Sequence, residues 1–235
     1  DVYKRQALAC AHYEIEKLKV KQFSNMICYL MVHFGMNQQS TILPYFPLSV
    51  FLFPGEDMPL HIFEPRYKQL IDDARTHGIT FAIPFAIEQE IQEFGCEVRL
   101  KDVVAEKEDG NMVIVVESIA IVEISSYNSR LEGKLYAGGK VRRLPCDYPV
   151  ISKELLDLIN SYREYYDQEF LSSHGSEPIS RKDLIIAMNL SSDEKYKFIC
   201  MPDAKQREGF LAGQLRYLSM IRKQEALLGD DFGLN

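Results

Sequence analysis

His61, Glu64 and Arg66 stand close together in the run Pro59-Leu60-His61-Ile62-Phe63-Glu64-Pro65-Arg66-Tyr67. A histidine near a carboxylate could act as a general base held in orientation by its neighbour. The same two groups could instead hydrogen-bond across a tight turn. Glu64 and Arg66 could seat a ligand carboxylate or a peptide end, because the guanidinium fork binds such groups bidentately. They could equally fix the corner to a neighbouring strand. No nucleophile stands beside His61, and His77 and His174 are far away in sequence. Gly133-Lys134 and Gly139-Lys140 lack the upstream glycine and the following Ser or Thr of a phosphate loop. There is no Gly-x-Ser-x-Gly elbow and no His-Glu-x-x-His pair. Cys96, Cys146 and Cys200 have neither metal-ligand spacing nor a close partner, so no zinc site or disulfide framework is expected. The residues therefore assign no catalytic group, metal or cofactor, and the protein is expected not to be an enzyme.

The elements that position these residues follow from periodicity and turn chemistry. Prolines 47, 54 and 65 cannot donate backbone hydrogen bonds, so they belong at strand starts, edges and turns. The pattern predicts a strand from about Ile42 to Phe53, a Pro54-Gly55 turn, and a short strand around Leu60–Phe63. A helix follows, with Pro65 in its first turn. It carries Tyr67, Leu70, Ile71 and Ala74 on one face and ends at a left-handed Gly78. Further strands are expected at Ile79–Ala86, Cys96–Ala105, Met112–Val116, Ile119–Ile124 and Glu132–Leu144, with a bulge or bend at Gly138-Gly139. Short strands without βαβ alternation indicate a small barrel.

Beyond Pro149 the period becomes helical. Leu155, Leu156, Ile159, Tyr162 and Tyr166 share one face; Tyr162, Tyr165 and Tyr166 could form a sticky surface or pack in a core. A short helix is expected from Arg181 to about Leu190, with Ser180 as N-cap. Ser191-Ser192-Asp193-Glu194 reads as a capping box. A last helix begins around Asp203 and ends at Gly229, burying Phe210, Leu211, Leu215, Leu218 and Ile221.

The chain carries 27 basic and 34 acidic residues, a net charge of −7. Leaving out residues 1–35, with five basic and three acidic residues, gives 22 against 31, or −9. Nucleic-acid binding needs a basic footprint, so this balance disfavours it. Lys140, Arg142 and Arg143 could form a local patch or a charged strand edge. Residues 1–6 read like a translated sequencing-adapter end, and residues 1–35 are expected to be a non-native or disordered extension rather than a targeting element, with Met36 favoured as the start over Met26 and Met31. Phe23–Phe34 is too short and too polar to span a bilayer, and reduced thiols fit a cytoplasmic protein.

Tyr45-Phe46-Pro47-Leu48, Phe53-Pro54-Gly55 and Pro59–Tyr67 together resemble the opening of the Lon protease N-terminal, substrate-binding domain. Phe94-Gly95-Cys96 and the Asp109-Gly110 turn before the Val-rich strand continue the resemblance in order, and it covers about Ile42 to Leu228. It implies an α+β fold, with a PUA-like β-barrel lobe at 36–147 followed by a helical lobe at 148–235. Ser118 and Ile121 depart from the glycine and arginine common in the family. The chain resembles bacterial stand-alone Lon-domain proteins without ATPase or peptidase modules. The implied function is binding of unfolded or exposed apolar polypeptide in protein quality control, with a protease or chaperone as a further partner and neither membrane nor nucleic acid involved. A PUA-like RNA-binding module is the alternative; the lack of tryptophan counts against the aromatic cage of cereblon-type relatives. The expected peptide-binding residues are Phe46, Phe51, His61, Glu64, Arg66 and Tyr67, with the two phenylalanines exposed on the first strand.

Overall fold

The computed structural model describes residues 40–145, 152–162 and 181–231. The 1–35 extension, Cys146, Tyr165, Tyr166 and Ser180 lie outside them, as does the side chain of Tyr162.

Six strands, β1 (Thr41–Tyr45), β2 (Asp57–Ile62), β3 (Phe81–Ile87), β4 (Glu90–Glu106), β5 (Met112–Ile124) and β6 (Ala137–Leu144), join in the order β2-β5-β4-β3-β1-β6, and β6 also pairs with β5. That last pairing closes a five-stranded barrel and leaves β2 as a sixth strand on β5. Among the described strands only β1 and β3 pair in parallel. The expected Met112–Val116 and Ile119–Ile124 strands are one continuous β5. Its first half pairs with β2, from Met112 to Glu117, and its last part with β6, from Ile121 to Ile124.

The first strand is shorter than expected. β1 ends at Tyr45 and only a Leu48–Phe85 bridge continues it, because Pro47 has no N–H to extend the ladder. Phe46 and Leu48 donate to Ala82 and Pro84, so the segment still tracks β3 on either side of the proline. Gly138-Gly139 is a regular ladder opposite Leu43 and Pro44, not a bulge. Glycine is required there by close approach: a Cβ on Gly139 would lie 2.0 Å from the Ser126 carbonyl oxygen and 2.8 Å from the Tyr45 hydroxyl. That hydroxyl donates to Ser126 and Lys140 carbonyls, and burial pushes its pKa up to about 12.

Helix α1 (Pro65–His77) starts at Pro65 and stops at left-handed Gly78, whose N–H reaches the Ala74 carbonyl. It buries Tyr67, Leu70, Ile71 and Ala74 against Leu60, Ile62, Met112, Ile114 and Val116. Each of the three larger side chains contributes roughly 1.5–3 kcal/mol. The helical part comprises α2 (Lys153–Tyr162), α3 (Arg181–Ala187), α4 (Ser192–Cys200) and α5 (Ala204–Asp231). Leu155 and Ile159 of α2 are buried while Leu156 is exposed. Helix α3 ends three residues short of Leu190, and α5 passes Gly229. Ser191 and Glu194 form the reciprocal capping box, which holds the Glu194 carboxyl below the usual range through the Ser191 N–H.

The helices close on the barrel through Phe51, Phe53, Phe85 and Ile121, packed with Phe198, Leu211 and Leu215. Ile121 is fully buried there, so that position carries no cation in this chain. At the same boundary Lys195 Nζ donates to Glu56 Oε1 at 2.6 Å, both nearly buried, while Glu56 Oε2 accepts from the Phe53 N–H at 2.7 Å.

Arg142 and Arg143 are ion-paired with Glu123 and Glu97, so this segment is charge-compensated, but β6 pairs with both β1 and β5 and is not a sheet edge. Glu97 is buried. Burial alone would raise its pKa, but hydrogen bonds from Arg143 and Thr80 outweigh it and hold the carboxyl below its ordinary value. A depressed folded pKa contributes stability above the unfolded value that is lost as pH falls through the folded one. Glu97→Gln should therefore lower stability at neutral pH by about 1–2 kcal/mol, discounted for the exposed arginine, and flatten the acid limb of the stability–pH curve measured by urea unfolding. Gly139→Ala should lower stability by about 2–3 kcal/mol in the same assay, through overpacking and loss of the Tyr45 hydrogen bonds.

Candidate functional site

Strand alternation decides what β2 presents. Met58, Leu60 and Ile62 stand opposite Val116, Ile114 and Met112 on the face under α1. Asp57, Pro59 and His61 stand opposite Glu117, Val115 and Val113 on the other, where all three β2 residues are exposed. Β4 completes this outer face with Arg99, Asp102 and Ala105, opposite Glu117, Val115 and Val113.

Among the described residues no strand pairs with the far edge of β2, since β2 terminates the sheet order. Ser118 N–H donates to the Glu56 carbonyl at 2.9 Å. Alternation from that bond turns the main-chain groups of Met58, Leu60 and Ile62 toward β5, and those of Asp57, Pro59 and His61 outward. Pro59 thus sits where its missing N–H leaves no gap in the ladder, as an edge strand requires. It also interrupts the outer edge, so His61 offers both an N–H and a C=O at the end nearer the corner.

That end opens onto a hollow of about 410 Å³ at the end of the β2–β5 ladder, lined by His61, Ile62, Phe63, Ala105, Lys107, Asn111, Met112 and Val113. Phe63 is 65% exposed. Its position continues the outward parity of Pro59 and His61, a signal available in the sequence. Residue type alone singles out none of Phe63, Ala105, Lys107, Asn111 and Val113, which come from just past the end of β2, from β4, from the β4–β5 turn and from β5.

The expected site residues separate into three places. Phe46, Tyr67, Arg66 and Glu64 form a stack at the corner. The Phe46 and Tyr67 rings are 4.0 Å apart, the Arg66 guanidinium lies 4.6 Å over Tyr67, and Arg66 donates to Glu64 at 2.8 Å. Burial raises the pKa of the Tyr67 phenol. Phe51 belongs to the barrel–helix boundary, and His61 to the open outer face. Phe46 and Phe51 are 6% and 0% exposed, which corrects the expectation of a surface formed by first-strand aromatics. Beyond Tyr45 the chain turns inward to follow β3 and then to meet α4, where the Phe51 N–H donates to Ser192 Oγ at 3.0 Å. His61 makes no hydrogen bond to Glu64 among the described residues, because Glu64 is held by Arg66. The boundary between barrel and helices is filled by Phe51, Phe53, Phe85 and Phe198. Among the described residues no cluster of His, Cys, Asp and Glu could hold a metal, and no helix is long and apolar enough to cross a membrane.

The family model of the ATP-dependent protease La (LON) substrate-binding domain matches residues 42–208. The chain belongs to this family. In solved structures, a Lon N-terminal domain protein from Xanthomonas campestris superposes with a TM-score of 0.54 at 21% identity, over 77% of this chain and 98% of that one. The N-terminal domain of the Mycobacterium avium complex Lon protease superposes with a TM-score of 0.55 at 16% identity, over 75% and 98%. At these identities the likeness speaks for the fold. Comparison with curated proteins returned no match. As a Lon substrate-binding domain, the chain is a binding module, and the match covers both β2 and the hollow beside it.

The burial pattern separates structural from surface aromatics. Phe46→Ala should lower stability by about 3–5 kcal/mol in urea unfolding, whereas Phe63→Ser should leave the midpoint within about 0.5 kcal/mol.

Proposed function

We propose that this protein binds unfolded or exposed apolar polypeptide without acting on it chemically, and does so along the outer edge of β2. The observation that carries the reading is a strand edge without a partner among the described residues, ending at an apolar hollow. An extended segment laid against β2 can exchange main-chain hydrogen bonds with His61 and place a side chain over Phe63 and Val113. Pro59 keeps the pairing short, so binding rests on the hollow as much as on the ladder. A module of this kind hands on substrates, and a protease or chaperone is the partner that would consume them, within cytoplasmic quality control.

RNA binding is disfavoured by the electrostatics. Arg142 and Arg143, in the most basic segment, are committed to Glu123 and Glu97, and the chain is net acidic.

The test uses the full chain, a labelled permanently unfolded polypeptide, and an RNA oligonucleotide in parallel at low and moderate salt. Salt-tolerant capture of the polypeptide is expected. His61→Pro removes one outward N–H without touching the inward ladder, and should weaken capture about three- to tenfold while His61→Ala does not. Phe63→Ser should weaken it further. Unchanged affinity in both His61→Pro and Phe63→Ser would overturn the edge as the site, and steeply salt-dependent RNA binding alone would replace the reading.

A further inference from the structure

The strand-edge reading above leaves open which polypeptides are preferred, and the inference drawn here rests on it. Cations around the outer face are nearly all committed. Arg99 pairs with Glu117 at 2.8 Å, Lys101 with Asp57 at 2.5 Å, and Arg66 with Glu64 at 2.8 Å. Lys68 Nζ donates to the Asp109 carbonyl at 2.8 Å.

Lys107 is different. Its backbone is fixed, since its N–H donates to Asn111 and its carbonyl accepts from Gly110, which closes the β4–β5 turn. Its ammonium has no ion-pair partner among the described residues. The carboxylates that could have served it are engaged elsewhere: Glu106 accepts from Arg75, and Asp109 accepts from the backbone and side chain of Asn111. Glu108, the next residue in the turn, makes no ion pair with it. A net-acidic chain thus leaves an uncompensated cation on the rim of its apolar hollow, which is charge complementarity to an acidic ligand.

We propose that the hollow selects extended segments in which a large apolar residue and an Asp or Glu are separated by one residue. In a strand, side chains two apart point to the same face at a spacing of about 6.8 Å. The apolar side chain then enters between Phe63, Ala105 and Val113, and the carboxylate two positions away meets Lys107 at the rim.

Labelled Gly/Ser host peptides carrying Phe-Ser-Glu, Phe-Ser-Gln, Phe-Ser-Lys or Ser-Ser-Glu, titrated by fluorescence anisotropy at low ionic strength, test this with the full chain. The Glu peptide should bind about threefold more tightly than the Gln peptide and about tenfold more tightly than the Lys peptide. Lys107→Glu, at an exposed turn position, should keep the thermal midpoint and invert the Glu and Lys order. Phe peptides that bind alike, with an order indifferent to Lys107→Glu, would overturn the charge selection and leave the strand-edge reading intact. Loss of any advantage of Phe over Ser, together with failure to capture the unfolded polypeptide, would overturn both.

Discussion

Strand β5 has to serve two neighbours along one edge, and the rest of the architecture follows from where it changes between them. Β2 occupies that edge up to Glu117 and β6 takes it from Ile121. Ser118 sits between the two. Its N–H donates to Glu56, its carbonyl accepts from Gly55, and its buried hydroxyl lies 3.4 Å from the Leu52 carbonyl. The Gly55–Glu56 corner is held in turn by the Glu56–Lys195 pair from α4. An ion pair this little exposed is weak evidence for stability, but its geometry is demanding: loss of either partner would strand a charge. It therefore ties the start of β2 to the helical part.

The β6 pairing closes the barrel and removes one edge; the β2 pairing leaves another. An open strand edge is an aggregation hazard, and the chain moderates it with an outward Pro59 and the Asp57–Lys101 ion pair. What remains accessible is the short stretch at His61, beside the exposed ring of Phe63 and the uncommitted Lys107. The proposed binding surface is thus what edge protection leaves, placed where β5 meets its hairpin turn.

Much of this was legible in the sequence, and the limits have physical causes. The α1 boundaries were readable because Pro65 and Gly78 act through local backbone geometry, and Tyr67, Leu70, Ile71 and Ala74 keep helical spacing. The Ser191–Glu194 box was readable for the same reason. Long-range facts were not. Nothing local distinguishes Met112–Val116 as half of a strand with two partners, or shows that Phe46 and Phe51 follow β3 into separate cores. The close approach of Gly139 to Ser126 depends on a loop folding back across it, so the glycine pair read equally well as a bend. Of the residues singled out by type, only His61 lines the hollow, while Glu64, Arg66 and Tyr67 stack with Phe46 at the corner. Phe63 and Lys107 escaped because their significance comes from strand parity and from which neighbouring charges are already paired.

Amide hydrogen exchange at single-residue resolution on β2, with and without a saturating unfolded polypeptide, would locate the bound segment. In the free chain the amides of Met58, Leu60 and Ile62 should be protected and those of Asp57 and His61 should exchange rapidly. Bound polypeptide should protect His61 selectively. Rapid exchange at His61 in the complex, with new protection confined to the helices, would contradict a strand-edge site.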